Sequence, residues 1–450
     1  MSRIFLLSAN ATTEPYAVYP LGMAVIAGAL AAAGHDVRQF DWLAADCDNA
    51  ALENAVRDFD PEAICLSLRN IDNVDSFCIE THWYLAQARE RLETVRRASN
   101  APVIVGGAGF SIMPEEILDY LGAEHGVVGE GDRAVCTLIE GLATGKVMPR
   151  LIRSEGRGLD ATQMARPLFQ QDLVDYYVEQ SGMVNLQTKR GCPWSCSYCT
   201  YPALEGIHFR PREPKDVVDD LERLLKNHNT NKVFFTDSVF NDAAGHYLEV
   251  TEELIRRELD IAWCGFFRPQ GIGRKEIALL KRSGLYAMEL GTDAASDVTL
   301  AGMDKRLTFD DVFAVNQACI DERLPAAHFV IFGGPGETEE TLEEGLANMD
   351  QLGPQVVFGF SGIRLLPRTP LHKQAIEEGV IAADAPLMQP VYYYSPHIDP
   401  EKMNARIEAH FLDHRNRVFP PSEGQARLSV MQRFGFKGIM WDQLVKFPKA

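Results

Sequence analysis

The first 145 residues alternate short apolar runs with amphipathic segments, and this alternation restricts the possible folds more than any other feature. Apolar runs bounded by turn residues are typical of buried strands, and an apolar face that repeats every turn is typical of a helix. The strand-like runs are residues 3–8, 36–42, 63–68, 103–107 and 125–129, and the helix-like segments are 21–33, 50–59, 81–97 and 114–121. Strict alternation of this kind predicts an α/β fold with a parallel, doubly wound sheet.

In such a Rossmann-like unit, ligands bind at the carboxyl ends of the strands. The segments at these ends are residues 10–19, residues 69–75, the Gly-Gly-Ala-Gly sequence at 106–109 and the Gly-Glu-Gly sequence at 129–131. Glycine has no Cβ, so its backbone can approach a ligand closely. A tight turn would use the same glycines, and the sequence leaves both interpretations open.

A second alternation begins at residue 183. Its strand-like runs are 183–188, 232–236, 261–267, 287–291, 327–332 and 356–363, with helix-like segments at 216–227, 246–258, 275–283, 309–322 and 339–352. Six such units are fewer than the eight of a closed barrel and predict a partial (β/α)6 barrel. We therefore expect a Rossmann-like domain at 1–145, a linker at 146–182, the barrel at 183–370 and an irregular, proline-rich cap at 371–450.

Composition excludes several classes of partner. The chain has 44 Lys and Arg against 63 Asp and Glu, a formal charge of −19, which disfavours nucleic acids and anionic lipid surfaces. The apolar stretch at 23–33 is too short for a membrane span and is expected to be a buried helix. Nine cysteines in 450 residues are too few for a disulfide scaffold and favour the reducing cytoplasm.

Three cysteines crowd into one short segment directly after the first barrel strand, where barrel enzymes keep their active sites. Cys192, Cys196 and Cys199 have the spacing CxxxCxxC, with Tyr198 just before the last. Three thiolates can each bind a different iron of a [4Fe-4S] cluster and leave the fourth iron open to another ligand. Zinc is the rival metal, but a structural zinc site needs four ligands, and neither a second CxxC nor a paired histidine motif follows.

This motif in a partial barrel resembles that of the radical S-adenosylmethionine (SAM) superfamily, in which SAM binds the open iron and is cleaved to a 5′-deoxyadenosyl radical. The resemblance implies that the three cysteines bind the cluster and that SAM contacts residues near the carboxyl ends of the strands. The implied SAM-binding residues are Tyr198, Asp237, Asn241, Glu289, Gly333 and Gly334. Each of the later positions also fits an ordinary turn or helix cap. Arg210 and Arg212 are candidates for holding the SAM carboxylate, or are solvated charges.

A Rossmann-like unit ahead of such a barrel resembles the cobalamin-dependent branch of the superfamily. The implied cobalamin-binding residues are Ser67, Arg69, Asn70, Gly106, Gly107, Gly129 and Gly131. A dinucleotide site is disfavoured because no GxGxxG follows the first strand. The chain also lacks the DxHxxG motif that supplies a lower histidine ligand to cobalt. Arg69 cannot donate a lone pair and would block that face, or it pairs with Asp72 or Asp75.

The two resemblances imply a methyltransferase that acts on an unactivated carbon through a 5′-deoxyadenosyl radical and methylcobalamin. The alternative is a cyclase or rearrangement enzyme with the same cofactors, and a cobalamin carrier without turnover is disfavoured because it needs no cluster. We expect a small-molecule or natural-product substrate and an external electron donor of the flavodoxin or ferredoxin type. Candidate substrate contacts are Arg364, His372 and the carboxy-terminal aromatic and histidine residues, namely Tyr392, Tyr393, Tyr394, His397, His410 and His414.

Overall fold

The computed structural model of the chain describes residues 1–13, 16–78, 83–154, 158–228 and 230–448. Its amino-terminal sheet has six parallel strands in the order β2-β1-β3-β4-β5-β6. The strands are β1 Arg3–Ser8, β2 Asp36–Asp41, β3 Ala63–Ser67, β4 Val103–Gly106, β5 His125–Val128 and β6 Leu151–Arg153. The helices are α1 Leu21–Ala32, α2 Asn49–Phe59, α3 Tyr84–Ala98, α4 Ala108–Ile112, α5 Pro114–Leu121 and α6 Gly131–Ala143.

Both faces of this sheet are buried. Successive side chains of β1 point to opposite faces, and apolar residues are present on both. Phe5 and Leu7 join one core with α2, α3 and α5, whereas Ile4 and Leu6 join the other with α1 and α6. The strand order reverses between β1 and β3, the point in a doubly wound sheet where ligands bind. The predicted α/β unit is therefore confirmed, and its binding edge lies at the ends of β1 and β3.

The second sheet has seven strands in the order β17-β14-β13-β12-β11-β10-β7. Its strands and the short strands between them are β7 Met183–Leu186, β8 Lys189–Arg190, β9 Arg210–Pro211, β10 Lys232–Phe235, β11 Ala262–Phe267, β12 Met288–Asp293, β13 Ala326–Phe332, β14 Val356–Ser361, β15 Ile363–Arg364, β16 Tyr392–Tyr393 and β17 Arg417–Val418. Its helices are α7 Gln171–Ser181, α8 Tyr201–Glu205, α9 Pro214–Asn227, α10 His246–Arg256, α11 Arg274–Arg282, α12 Asp297–Gly302, α13 Phe309–Asp321, α14 Glu339–Gln351, α15 Pro370–Glu377, α16 Pro400–Phe411 and α17 Pro421–Arg433. The six predicted units form an open barrel, and β17 adds a short parallel strand at the β14 edge.

The carboxy-terminal segment fills the lower part of the barrel. Inward-facing residues of the strands, among them Cys264 and Ala327, form one apolar cluster with Ile439 and Trp441. Trp441 is only 2% exposed. The segment after α17 is therefore part of the barrel core.

Two predictions about the connections are wrong. The segment 146–182, expected to lack regular structure, holds strand β6, which pairs with β5, and helix α7. The region 371–450, expected to be irregular, holds most of α15 together with α16 and α17. Pro370 and Pro421 begin helices, because the missing N–H is not needed in the first turn. The predicted start of a helix at Thr81, residues 14–15 of the segment 10–19 and residues 155–157 of the linker lie outside the described residues.

The described residues contain no helix that is both long enough and apolar enough to cross a membrane.

Candidate active site

A cavity of about 560 Å³ lies between the two domains. On one side it reaches the ends of β1, β3, β4 and β5, and on the other it reaches Asn185, Thr236 and Phe266 at the barrel mouth. All seven residues assigned to cobalamin line it, namely Ser67, Arg69, Asn70, Gly106, Gly107, Gly129 and Gly131. The structure thus brings this set together at one place.

The glycines of this set differ in how strictly the backbone requires them. At Gly107, where φ is +105°, an added Cβ would lie 2.5 Å from the Leu68 carbonyl oxygen, so the turn itself excludes a side chain. At Gly106 an added Cβ would meet its neighbours only at 3.7 Å, an ordinary contact. The tight turn and the open cavity wall are therefore both present.

Arg69 faces this cavity, and no carboxylate in the described part of the chain pairs with it. Asp72, one of its two expected partners, instead pairs with Arg364 at 2.9 Å. Among the described residues the Arg69 guanidinium has no hydrogen bond or ion pair, and burial lowers its pKa. A guanidinium in this place supplies positive charge but no lone pair for a metal.

The loop with the three cysteines, residues 191–209, is closed at its base by the antiparallel β8–β9 pair. Cys192 N–H donates to the Gly206 carbonyl at 3.0 Å, and Cys199 N–H donates to the Cys196 carbonyl at 3.1 Å. Cys192 is buried and the other two thiols are half-buried. Among the described residues no three His, Cys, Asp or Glu side chains form a group for a single metal ion. A [4Fe-4S] cube does not require one, because each thiolate binds a different iron.

Two cations stand beside the thiols. Burial raises the pKa of Cys196, and the nearby charges of Lys305 and Arg268 oppose that rise. Burial also raises the pKa of Cys199 to about 12. Thiolates would be stabilised here by bound iron and by these two cations, so the residues fit the cluster.

Arg268, Asp293 and Lys305 were missed by the sequence analysis. Arg268 directly follows β11 and stacks on Trp194 at 3.9 Å from the ring centre. Asp293 ends β12, pairs with Lys305 and accepts a hydrogen bond from the Tyr198 hydroxyl. Position could have indicated two of them, because Arg268 directly follows β11 and Asp293 ends β12. Lys305 lies at no strand end and gave no such signal.

Asp237 and Asn241 bind the protein backbone. Asp237, completely buried, accepts from Thr188 N–H at 2.7 Å and Lys189 N–H at 3.3 Å. Asn241 accepts from Arg268 N–H at 2.9 Å and donates to the Arg268 carbonyl at 3.1 Å. The structure gives both side chains a role in holding the loops that they connect, and their contact with SAM stays a prediction.

Arg210 and Arg212 are likewise not free to bind the SAM carboxylate. Arg210 donates to Glu130 at 2.8 Å, and Arg212 donates to the Gln187 carbonyl at 3.1 Å and pairs with Asp220. Neither is a solvated charge, because each keeps only a small part of its side chain exposed.

An ion-pair network joins the cluster loop to the first domain. Arg190, which lies opposite Arg210 in the β8–β9 pair, donates to Glu130 at 3.0 Å and to Asp132 at 2.9 Å. Glu130 lies in the turn that follows β5 and Asp132 in the first turn of α6, and both are buried. The network ties the cavity-lining glycine turn at 129–131 to the base of the cysteine loop.

Glu289 lies inside the barrel. It is 4% exposed, and its Oε1 accepts from Trp441 Nε1 at 3.0 Å. Burial raises its pKa to about 7. The resemblance assigned this residue to SAM, whereas the structure gives it a partner from the carboxy-terminal segment.

The remaining predicted positions lie away from the cavity. Gly333 and Gly334 are buried, and an added Cβ would meet Tyr394 at 2.9 Å and Met303 at 2.5 Å, respectively. His372 is half-buried in the first turn of α15, where its backbone N–H donates to Thr369.

Arg364 was predicted to contact substrate but is a buried interdomain link. It donates to Asp72 at 2.9 Å, to the Leu365 carbonyl at 2.6 Å and to the Leu387 carbonyl at 2.8 Å. The guanidinium therefore already has partners in three directions and is only 5% exposed.

The carboxy-terminal aromatic and histidine residues are also absent from the cavity wall as far as the structure describes it. Tyr393 donates to Glu378 at 2.7 Å, and His410 lies 3.0 Å from Asp350. Tyr393 therefore has its partner within the cap, whereas His410 pairs with Asp350 on α14 of the barrel.

Two family models match the chain, a B12 binding domain over residues 7–139 and the Radical SAM superfamily over residues 186–347. The tryptophan 2-C-methyltransferase of Streptomyces laurentii is 26% identical over 454 residues, which cover 83% of this chain and 74% of the relative. The hopanoid C-3 methylase of Methylococcus capsulatus is 26% identical over 65% of this chain and 57% of its own.

The fold is that of solved enzymes of this kind. The methyltransferase TsrM from Kitasatospora setae, with cobalamin and a [4Fe-4S] cluster bound, has a TM-score of 0.86 at 24% identity and covers 99% of this chain and 97% of its own. OxsB, with aqua-cobalamin and SAM bound, has a TM-score of 0.70 at 13% identity, over 97% of this chain and 71% of its own. The chain belongs to the cobalamin-dependent radical SAM enzymes, whose cofactors are a [4Fe-4S] cluster, SAM and cobalamin.

Proposed function

We propose that this chain transfers a methyl group from cobalamin to an unactivated carbon of a small molecule. The observation that carries the proposal is the single cavity that reaches both the switch point of the first sheet and the barrel mouth. Methyl transfer to a carbon radical needs the methyl donor, the radical source and the substrate within contact of one another. A shared cavity supplies that arrangement.

The bound cofactors supply a methyl group and a 5′-deoxyadenosyl radical. The chain's own residues hold them in place and keep the site closed. Cys192, Cys196 and Cys199 bind iron, while Arg69 places a charge that cannot coordinate metal at the cobalamin side of the cavity. Arg190 and Arg210 bind Glu130 and so hold the base of the cysteine loop against the turn after β5.

The Asp293–Lys305 pair and Arg268 are the groups that we assign to the amino and carboxylate ends of SAM. Asp293 ends β12, Arg268 follows β11 and Lys305 follows α12, all beside the thiols. Arg268 donates through Nε to Gln270 and through Nη2 to the Lys305 and Arg306 carbonyls, and among the described residues its Nη1 has no partner. A carboxylate that accepts from an ammonium group and a guanidinium that donates to a carboxylate are the natural partners for an amino acid. Tyr198 holds Asp293 through its hydroxyl group.

The substrate is a small molecule, and we assign it to the aromatic class. Phe234 and Phe266 line the cavity at the barrel mouth, and Phe329 and Phe360 pack against the same core. Aromatic walls favour offset or edge contacts with an aromatic ligand. Tryptophan, on which the Streptomyces laurentii relative acts, is the first compound to assay.

The proposal includes a cytoplasmic location and an electron donor of the flavodoxin or ferredoxin type. None of the nine cysteines is in a disulfide, as expected of a reducing compartment. A one-electron donor is needed because reductive cleavage of SAM consumes one electron.

The test is an anaerobic assay of the reconstituted protein with SAM, cobalamin, a low-potential reductant and tryptophan. Formation of S-adenosylhomocysteine, 5′-deoxyadenosine and a methylated product is expected. 5′-Deoxyadenosine alone would favour the cyclase or rearrangement alternative. Methylated product without 5′-deoxyadenosine would contradict the radical step. If neither S-adenosylhomocysteine nor 5′-deoxyadenosine forms, the proposal that the chain is a SAM-dependent enzyme is contradicted.

A further inference from the structure

A carboxyl group lies inside the barrel beside the cavity, and it is incompletely partnered. Glu289 is in register with Phe266 on β11, and Phe266 lines the cavity and is 38% exposed although it belongs to a barrel strand. Glu289 Oε1 accepts from Trp441, and within the described part of the chain no hydrogen bond reaches Oε2 and no cation pairs with the group.

The cavity reaches two immediate neighbours of Glu289, namely Tyr16 and Phe266, although Glu289 itself is not one of the residues that line it. Gly291 stands two residues further along β12, and the nearest atoms to an added Cβ there belong to Asp293 and the Phe267 carbonyl, at 3.7 Å and 3.8 Å, which are ordinary contact distances. Tyr16, which lines the cavity, is close enough to Glu289 for that charge to raise its pKa, after burial.

The neighbours of Glu289 are apolar or neutral. Titratable groups facing it are Tyr16, Cys264 and Tyr286, and none supplies a positive charge. An unpaired carboxylate in such a place is costly unless a donor reaches it. An ionised carboxylate can only accept hydrogen bonds, so a fitting partner is an N–H group, best a charged one.

We propose that Glu289 selects the substrate by accepting a hydrogen bond from an N–H group carried by an aromatic molecule seated at the barrel mouth. This inference rests on the proposed function and narrows its substrate class to aromatic amines and N–H heterocycles. The phenylalanine walls hold the ring, and Glu289 rejects ligands that present a carboxylate at the same point. Trp441 fixes the carboxyl by donating to its other oxygen.

The test measures binding to the reconstituted holoenzyme by calorimetry with four indole probes. Tryptamine carries an amine and a ring N–H, 1-methyltryptamine only the amine, indole only the ring N–H, and indole-3-propionate a carboxylate in place of the amine. If indole binds more weakly than tryptamine, the contact is with the amine. If 1-methyltryptamine binds more weakly than tryptamine, the contact is with the ring N–H.

The variants separate the carboxylate from the packing around it. Glu289→Gln keeps the acceptor for Trp441 and removes the charge, and it is expected to weaken tryptamine binding at least tenfold. Gly291→Val leaves the carboxylate intact but adds a side chain two residues further along β12, and we expect a similar loss. Met183→Leu, a volume-conserving change in the same apolar cluster, is the control and should alter affinity less than twofold.

Equal affinity of wild type and Glu289→Gln for tryptamine would overturn the inference. Binding of indole-3-propionate as tight as that of tryptamine would overturn it too, as would a wild-type enzyme that binds none of the probes. The proposed function fails separately, when wild-type enzyme binds an N–H probe but forms no S-adenosylhomocysteine or methylated product.

Discussion

Replacing Glu289 by glutamine should stabilise the protein without ligands, and the effect should grow with pH. Burial raises the pKa of Glu289 from its ordinary value of 4.5 to about 7. Because the folded chain then binds this proton more tightly than the unfolded chain, the free energy of unfolding falls as the pH rises from 4.5 to about 7. At 1.36 kcal/mol per pH unit, this difference corresponds to about 3 kcal/mol above pH 7.

Glutamine keeps the acceptor for Trp441 Nε1 and carries no charge, so it avoids the whole of this cost. Urea unfolding of wild type and Glu289→Gln, followed by the fluorescence of the buried tryptophans, gives the difference directly. We expect a gain of about 3 kcal/mol near pH 8 and less than about 1 kcal/mol near pH 5. A difference that is independent of pH, or a variant less stable than wild type near pH 8, would refute the argument from burial.

Three further predictions concern the cluster, the cobalamin turn and the contact between domains. Cys199→Ser should lower bound iron and abolish 5′-deoxyadenosine formation, whereas the exposed Cys47→Ser should leave both unchanged in iron and product assays. Gly107→Ala, which places a Cβ against the Leu68 carbonyl, should lose cobalamin on gel filtration, while Gly379→Ala, which has a positive φ but no close neighbour, should retain it. Arg364→Ala should destabilise the chain to urea by about 3–5 kcal/mol because Asp72 is left buried and unpaired, and adding Asp72→Asn should restore part of the loss.

The element order was predictable because each strand and helix of both domains carries its own local pattern. The strand at Arg3–Ser8 and the helix at Pro114–Leu121 have the predicted bounds. The carboxy-terminal helices were missed because a proline signals both the end of one element and the first turn of the next. Pro370 and Pro421 are helix starts, and composition alone does not distinguish the two uses.

The site was predictable where chemistry depends on sequence spacing, and it was not where it depends on tertiary contact. The cysteine spacing indicated the cluster, and the positions at strand ends indicated the cavity. Asp237 has the expected position at a strand end, but the direction of its side chain is set by the backbone N–H groups of Thr188 and Lys189. The partnership of Glu289 with Trp441 spans 152 residues and leaves no local signal.

That long separation also affects the biogenesis of the enzyme. A growing chain that has formed β12 but has not yet reached residue 441 contains Glu289 without its hydrogen-bond donor and a barrel whose lower apolar cluster lacks Ile439 and Trp441. This lower apolar cluster of the barrel is therefore completed only after the cysteine loop has emerged from the ribosome. Any nascent or prematurely terminated chain that stops before Ile439 would expose the remaining residues of this apolar cluster to chaperones and proteases.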